Sequence, residues 1–228
     1  MTKIKYLGHS FFKFSFPEAN VLVDPFIKSS SSEPEYKRLI ECPVKEKELN
    51  DINVILVTHE HFDHFDKEAI ECIAKSNNAV VVGHDSLHNE LSLERRHLCP
   101  IDVGKKIDLR KINVEAVTAH HPNSFNPLGY IIQSNNTRIY HAGDTDLIEE
   151  FANVKADIAL LPIGGAITMD CVDAVRATKY LKPKIVIPMH YNTFASIKAE
   201  PLEFKQRIEK SVLEAKPIIM QVGEEIEV

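Results

Sequence analysis

Tryptophan is missing from the 228 residues, and glycine is sparse at eight. Collagen-like and glycine-rich low-complexity chains are thereby excluded. No Cys-x-x-Cys pair occurs. Cys42, Cys72, Cys99 and Cys171 are scattered, which speaks against a disulfide scaffold and thiolate-held zinc and for reduced, small apolar side chains. Basic charge is in deficit, with 27 Lys and Arg against 33 Asp and Glu and a net charge of -6. A nucleic-acid binder needs the opposite balance to displace counterions, so no nucleic-acid partner is expected. Apolar runs such as Val54-Ile55-Leu56-Val57 fall far short of the about 20 residues that span a bilayer. Residues 1–9 carry no apolar secretory stretch and read as a first strand, so a cytoplasmic protein with no membrane partner is expected.

What is present is enough for a core: 44% of residues are hydrophobic and 26% charged. One domain, 1–228, is the expectation at this length. Short alternating runs predict strands over 4–7, 11–16 and 20–23. Periodicity then lapses over 27–51, where the Ser run 29–32 and a charged stretch read as a surface loop, with a lid over a site as the alternative. From Val54 onward strands (54–57, 79–82, 107–109, 114–119, 130–133, 138–141, 158–161, 185–188, 218–222) alternate with helices (67–75, 86–94, 146–151, 171–181, 202–215). Asp170 is placed to cap the helix at Cys171. A meander followed by βα units implies two sheets with helices outside. Gly8, Gly143, Gly164 and Gly165 lie at strand ends beside His, Asp or loops, where either close backbone approach or tight turns would call for them.

Histidine is abundant at eleven, and three fall in Val57-Thr58-His59-Glu60-His61-Phe62-Asp63-His64. An apolar strand delivers this string to its carboxyl end, where α/β proteins place ligands. His59 and His61, two apart, project to one side of an extended chain. One helical turn from His61 brings Asp63 and His64 alongside. Four ligand-type side chains at one corner exceed what one tetrahedral ion needs once further ligands arrive, so two metals are expected. The His-Glu-x-x-His arrangement of zinc proteases fails, because position 63 is Asp. Nitrogen and oxygen ligands suit Zn²⁺ or Mn²⁺ first and Fe²⁺ next.

The string His59-x-His61-x-Asp63-His64 stands with Asp24-Pro25, His141-Ala142-Gly143-Asp144-Thr145 and Pro188-Met189-His190-Tyr191-Asn192. Together they resemble the metallo-β-lactamase superfamily. Gly8-His9-Ser10, Leu161-Pro162-Ile163-Gly164 and Thr168-Met169 are similar to its small metal-dependent hydrolases, related to the ascorbate-6-phosphate lactonase branch. The resemblance runs from Lys3 to Val228. It implies a four-layer αβ/βα sandwich of two mixed sheets with helices outside and a dinuclear site between the sheet edges. By position it assigns His59, His61 and a later His to one metal, Asp63, His64 and His190 to the other, and Asp144 as the bridge. Ala119-His120-His121 offers two candidates for the later His; the resemblance favours His121, while strand alternation leaves either open. Asp24 resembles a carboxylate that accepts the other ring N–H of ligand imidazoles. His9 reads as non-ligating near the site mouth, His141 as a satisfied core residue, and His84, His88 and His97 as structural or surface residues.

The implied function is hydrolysis of a small ester, lactone or phosphate-containing metabolite by a hydroxide held between two divalent ions. Asp63 would orient that hydroxide, and Asp144 would set the metal spacing. A phosphodiesterase or ribonuclease of the same superfamily is the alternative, and a non-hydrolytic metal-binding or redox protein a further one. No Gly-x-Ser-x-Gly elbow competes with these readings.

Overall fold

The computed structural model describes residues 1–28, 36–211 and 213–228; the Ser run 29–32 therefore lies outside the described residues. Two-residue alternation builds the first sheet. In β1 (Lys3–Tyr6), β2 (Phe12–Ser15) and β3 (Asn20–Val23), side chains such as Ile4, Tyr6, Phe14 and Val23 face the second sheet, while Leu22 faces the other way. In β4 (Val54–Leu56) and β5 (Val80–Gly83), Val54, Leu56 and Val82 join that inter-sheet core, and Ile55 and Val81 pack against helix α1 (Lys67–Asn77). Ala69, Ile70, Ile73 and Ala74 form the buried stripe of α1, and the Asp66 carboxylate accepts the N–H of Ala69 at its start. β6 (Leu98–Pro100) ends one edge of the sheet and β14 (Glu225–Glu227) the other, in the order β14-β1-β2-β3-β4-β5-β6.

The second half repeats this plan without repeating the sequence. β7 (Lys106–Leu109), β8 (Ile112–Thr118), β9 (Leu128–Ser134) and β10 (Thr137–His141) pair antiparallel; β11 (Ile158–Pro162), β12 (Ile185–Met189) and β13 (Lys216–Pro217) continue in parallel. The sheet order is β13-β12-β11-β10-β9-β8-β7, seven strands like the first. Helices α2 (Asp85–His88), α3 (Cys171–Leu181) and α4 (Pro201–Lys210) complete the four-layer sandwich. Asp170 caps α3, its side chain accepting the N–H groups of Val172 and Asp173. Each sheet is an antiparallel meander joined to parallel strands, and the carboxyl ends of β3, β4, β10, β11 and β12 deliver the site.

Some expected boundaries move. The helix expected over 86–94 is the single turn α2, because the Ser92 N–H is held by Glu71 Oε1 at 2.7 Å and ties the segment to α1. Residues 149–153 form a 3-10 turn in place of a helix over 146–151. α4 stops at Lys210, where the Ser211 hydroxyl donates back to the Ile208 carbonyl; the rest of the helix expected to 215 includes residue 212, outside the described residues. The last pairing with β12 falls at 216–217 rather than 218–222.

Candidate metal centre

Backbone strain marks where the strands converge. Among the described residues, most non-glycine residues at positive φ are exposed or half-exposed; the buried ones are His9 (φ 60°), Asp24 (φ 49°) and His190 (φ 54°). Such a conformation costs about 1–2 kcal/mol per residue and persists where its surroundings over-determine it. All three stand at one place, at or just beyond the ends of their strands.

Asp24 is the organiser. Fully buried, its carboxylate accepts the Thr58 N–H at 2.8 Å, the Thr58 hydroxyl at 2.7 Å and the His64 Nδ1–H at 2.7 Å. With its proton given to Asp24, the Thr58 oxygen accepts from His59 Nδ1 at 3.0 Å. Both rings are thereby fixed in the tautomer that leaves Nε2 bare. His121 reaches the same state by another route, donating from Nδ1 to the Ile167 carbonyl at 3.1 Å. His61 turns its Nε2 to the Asn123 carbonyl at 3.4 Å, leaving Nδ1 toward its neighbours.

Two nests of donor atoms result. In one, His61 Nδ1 lies 3.1 Å from His59 Nε2 and 3.0 Å from His121 Nε2. With Nδ1 of His59 and of His121 engaged by Thr58 and Ile167, their Nε2 atoms present lone pairs here. In the other, His64, His190, Asp63 and His9 place one donor atom each within 4.8 Å of one another. Asp144 joins the two: Oδ1 is 3.2 Å from His64 Nε2, and Oδ2 is 2.9 Å from His190 Nε2 and 3.7 Å from His121 Nε2. Among the described residues, His64 Nε2, His190 Nε2 and Asp144 Oδ1 are buried and lack a hydrogen-bond partner. Buried lone pairs without donors suit a cation, and imidazole with carboxylate suits Zn²⁺, Mn²⁺ or Fe²⁺.

Electrostatics agree. Burial would raise the Asp144 carboxyl, but His190 and His64 beside it outweigh that and hold it far below the usual carboxylate range. For Asp63 burial likewise opposes, and the His9 hydrogen bond with the charges of His64, His9 and His190 wins. His64 runs the other way: burial lowers it, yet Asp144 and Asp24 raise it well above the ordinary range, so its Nε2 takes a proton wherever no cation occupies that position. Burial pushes His59 and His121 down, keeping them neutral. The nest of His64, His190, Asp63 and His9, the deep nest, thus gathers carboxylates around positive charge, while His59 and His121 offer neutral nitrogen to the other.

The remaining histidines separate cleanly. The His120 ring is outside, paired with Asp146 at 3.2 Å and 68% exposed, whereas His121 is inside. His141 donates from Nε2 to the Ser10 carbonyl at 2.9 Å and accepts the Gly143 N–H. His97 donates to the Ala79 carbonyl, His84 caps α2, and His88 is buried in α2. His9 is the surprise: its ring is fully buried inside the deep nest, donating from Nε2 to Asp63 Oδ2 at 3.0 Å. In the sequence, the Gly8-His9-Ser10 string of the resemblance points to the site mouth, and nothing there places the ring this deep. Two site glycines answer to close approach rather than to turn propensity alone. A Cβ at Gly164 would strike the His190 carbonyl, and one at Gly143 (φ 62°) would lie 2.7 Å from the Leu128 carbonyl oxygen.

A profile of the β-lactamase superfamily domain matches residues 3–190. A UPF0173 metal-dependent hydrolase of Nanoarchaeum equitans is 37% identical over 99% of each chain, and one of Staphylothermus marinus is 39% identical over 98% of each. The chain belongs to the metallo-β-lactamase superfamily. A solved metallo hydrolase of Ignicoccus hospitalis, 30% identical, superposes with a TM-score of 0.83 over 99% of this chain and 97% of its own. The chain is thus a member of a family of metal-dependent hydrolases, and its two sheets follow the metallo-β-lactamase plan. A cavity of about 490 Å³ opens over both nests, with His61, Asp63, Asp144 and His190 at its floor. That size suits a small molecule. No helix among the described residues is long and apolar enough to cross a membrane.

Proposed function

We propose that this chain hydrolyses a small ester, lactone or phosphate-containing metabolite in the cytoplasm, using two divalent ions, with Zn²⁺ or Mn²⁺ preferred and Fe²⁺ next. His59, His61 and His121 would hold one ion, Asp63, His64 and His190 the other, and Asp144 both. One observation carries the reading: the two oxygens of the buried Asp144 carboxylate face imidazoles of different nests, at 3.2 Å from His64 and 3.7 Å from His121. These residues would hold the ions so that a water between them could ionise near neutral pH and the carbonyl or phosphoryl oxygen could be polarised.

The protein's own groups do the rest. Asp24 keeps His59 and His64 in one tautomer, so no ring has to reorient when charge changes. Asp63 is kept ionised and is aimed by His9, which gives it a fixed hydrogen bond; it would orient the attacking hydroxide by accepting a hydrogen bond from it. Aromatic side chains around the cavity limit bulk water. The four cysteines stand free, as suits a reducing compartment. Elemental analysis of protein reconstituted with Zn²⁺ and with Mn²⁺ is the test, paired with a panel of esters, lactones and phosphodiesters. Two ions per chain and turnover on one class are expected; one ion or fewer removes the dinuclear reading.

A further inference from the structure

The cavity's walls differ chemically from its floor. Tyr36, Phe62 and Phe194 stand around one another with ring centroids 5.3 Å (Tyr36–Phe62), 5.9 Å (Phe62–Phe194) and 6.2 Å (Tyr36–Phe194) apart. Ile167 and Ile197 extend the apolar lining. Phe62 is 44% exposed, Ile167 43% and Tyr36 38%. Large apolar side chains left in water at a concave surface gain free energy when something apolar covers them, about 25 cal/mol per Å².

The wall is also braced. Phe26 packs on Phe62 and Phe194 at 6.0 and 6.1 Å, and the Arg38 guanidinium lies 4.3 Å from the Phe26 ring centroid. Arg38 is buried, donating from Nη1 to the Phe26 carbonyl at 2.7 Å and from Nε to the Ile40 carbonyl at 2.8 Å. This cation holds the wall in place and does not line the cavity. Among the described lining residues there is no Lys or Arg, and the sequence of 29–35 contains none. A phosphate on the part of the substrate that does not react would lie against this wall with no side-chain cation to pair it.

We propose that Tyr36, Phe62, Phe194 and Ile167 form the specificity pocket, and that the substrate is an uncharged carboxylic ester or lactone with an aryl or branched alkyl group seated there. This rests on the hydrolytic reading above and narrows it, setting phosphate-bearing substrates aside. The reaction consumes one water: its oxygen bonds to the acyl carbon, the acyl carbon–oxygen bond breaks, and the leaving alkoxide takes a proton to give alcohol and acid.

The test has a binding arm and a kinetic arm. Protein reconstituted with Zn²⁺ is titrated calorimetrically with 3-phenylpropanol, which has no scissile bond, and with phenyl phosphate. Ethyl 3-phenylpropionate and ethyl acetate are compared as substrates by pH-stat. 3-Phenylpropanol should bind, and Phe62→Ala and Ile167→Ser, both at half-exposed positions, should each weaken it about tenfold. The phenylpropionate should exceed the acetate in kcat/KM by about tenfold or more, a ratio that Phe62→Ala collapses. Phenyl phosphate bound through the same wall more tightly than the alcohol overturns the choice of an uncharged substrate. Equal affinity in wild type and both variants overturns the pocket. So does ester turnover indifferent to the acyl group, which leaves the hydrolytic reading standing. Binding that depends on Phe62 without turnover of any ester keeps the pocket and overturns the hydrolysis.

Discussion

The two nests that share Asp144 are built from opposite materials. His59, His61 and His121 bring three imidazoles and no carboxylate of their own, with His61 half-buried at the cavity. The other nest mixes imidazole with carboxylate, with His64, His190 and Asp144 almost wholly buried and Asp63 half-buried at the cavity. Neutral nitrogen binds without a large desolvation cost; buried carboxylates demand a cation. On charge, the imidazole nest (the open one) would exchange an ion and the carboxylate nest (the deep one) would retain it. Stepwise removal of metal by chelator should empty the histidine nest first.

The change with the largest expected effect abolishes the distinction altogether. Asp144→Ala removes the shared group, strands His64 and His190, and should lower turnover by about three orders of magnitude or more while dropping metal content at both nests. Elemental analysis with activity on any turned-over ester checks it, and retention of both ions would break the comparison.

His121→Ala tests the open nest alone. It should lose one ion per chain and most turnover, while the deep nest stays loaded. His120→Ala, at an exposed ring, should change stability by no more than about 0.5 kcal/mol and leave metal content intact. The reverse pattern would shift the ligand by one residue.

A smaller effect is expected behind the deep nest. Asp24→Asn leaves every donor atom in place but withdraws the charge that fixes His64, and should weaken metal there by about 10–100-fold, as read by competition with a chelating dye. A separate effect concerns protons. Burial holds the His141 ring below its ordinary value of about 6.5, and His9 is lowered to about 4. Below about 6.5 the unfolded chain takes up protons that the folded one refuses, so stability is complete above that pH and falls as pH drops toward 4. Each pH unit crossed costs about 1.4 kcal/mol per such ring. Urea midpoints of metal-free protein at pH 7, 6 and 5 should decline in that order; a flat series would mean these rings accept protons within the fold.

Legibility in the sequence follows the same division. The donor string His59 to His64 is local, and strand period plus one turn suffice to gather it. Asp144 and His190 are each announced by a strand end. His9 was placed at the mouth because its depth depends on a left-handed backbone at a non-glycine residue, which no periodicity encodes. The aromatic wall joins Tyr36, Phe62 and Phe194 from three distant segments and carries no motif. The edge strands β6 and β14 escaped for a simpler reason: Leu98–Pro100 and Glu225–Glu227 are three residues each, too short to display alternation. The choice between His120 and His121 turned on register, which is set by the His121 bond to the Ile167 carbonyl far along the chain.

The three buried left-handed residues have a practical consequence. At most strand and helix positions alanine is the milder replacement and glycine the harsher. At positions 9, 24 and 190 that ranking inverts, because glycine alone adopts the backbone without strain. A two-letter scan of the buried positions of the metal-free protein, glycine against alanine and scored by thermal melting, would therefore pick out these three corners of the centre with no substrate, metal or assay in hand.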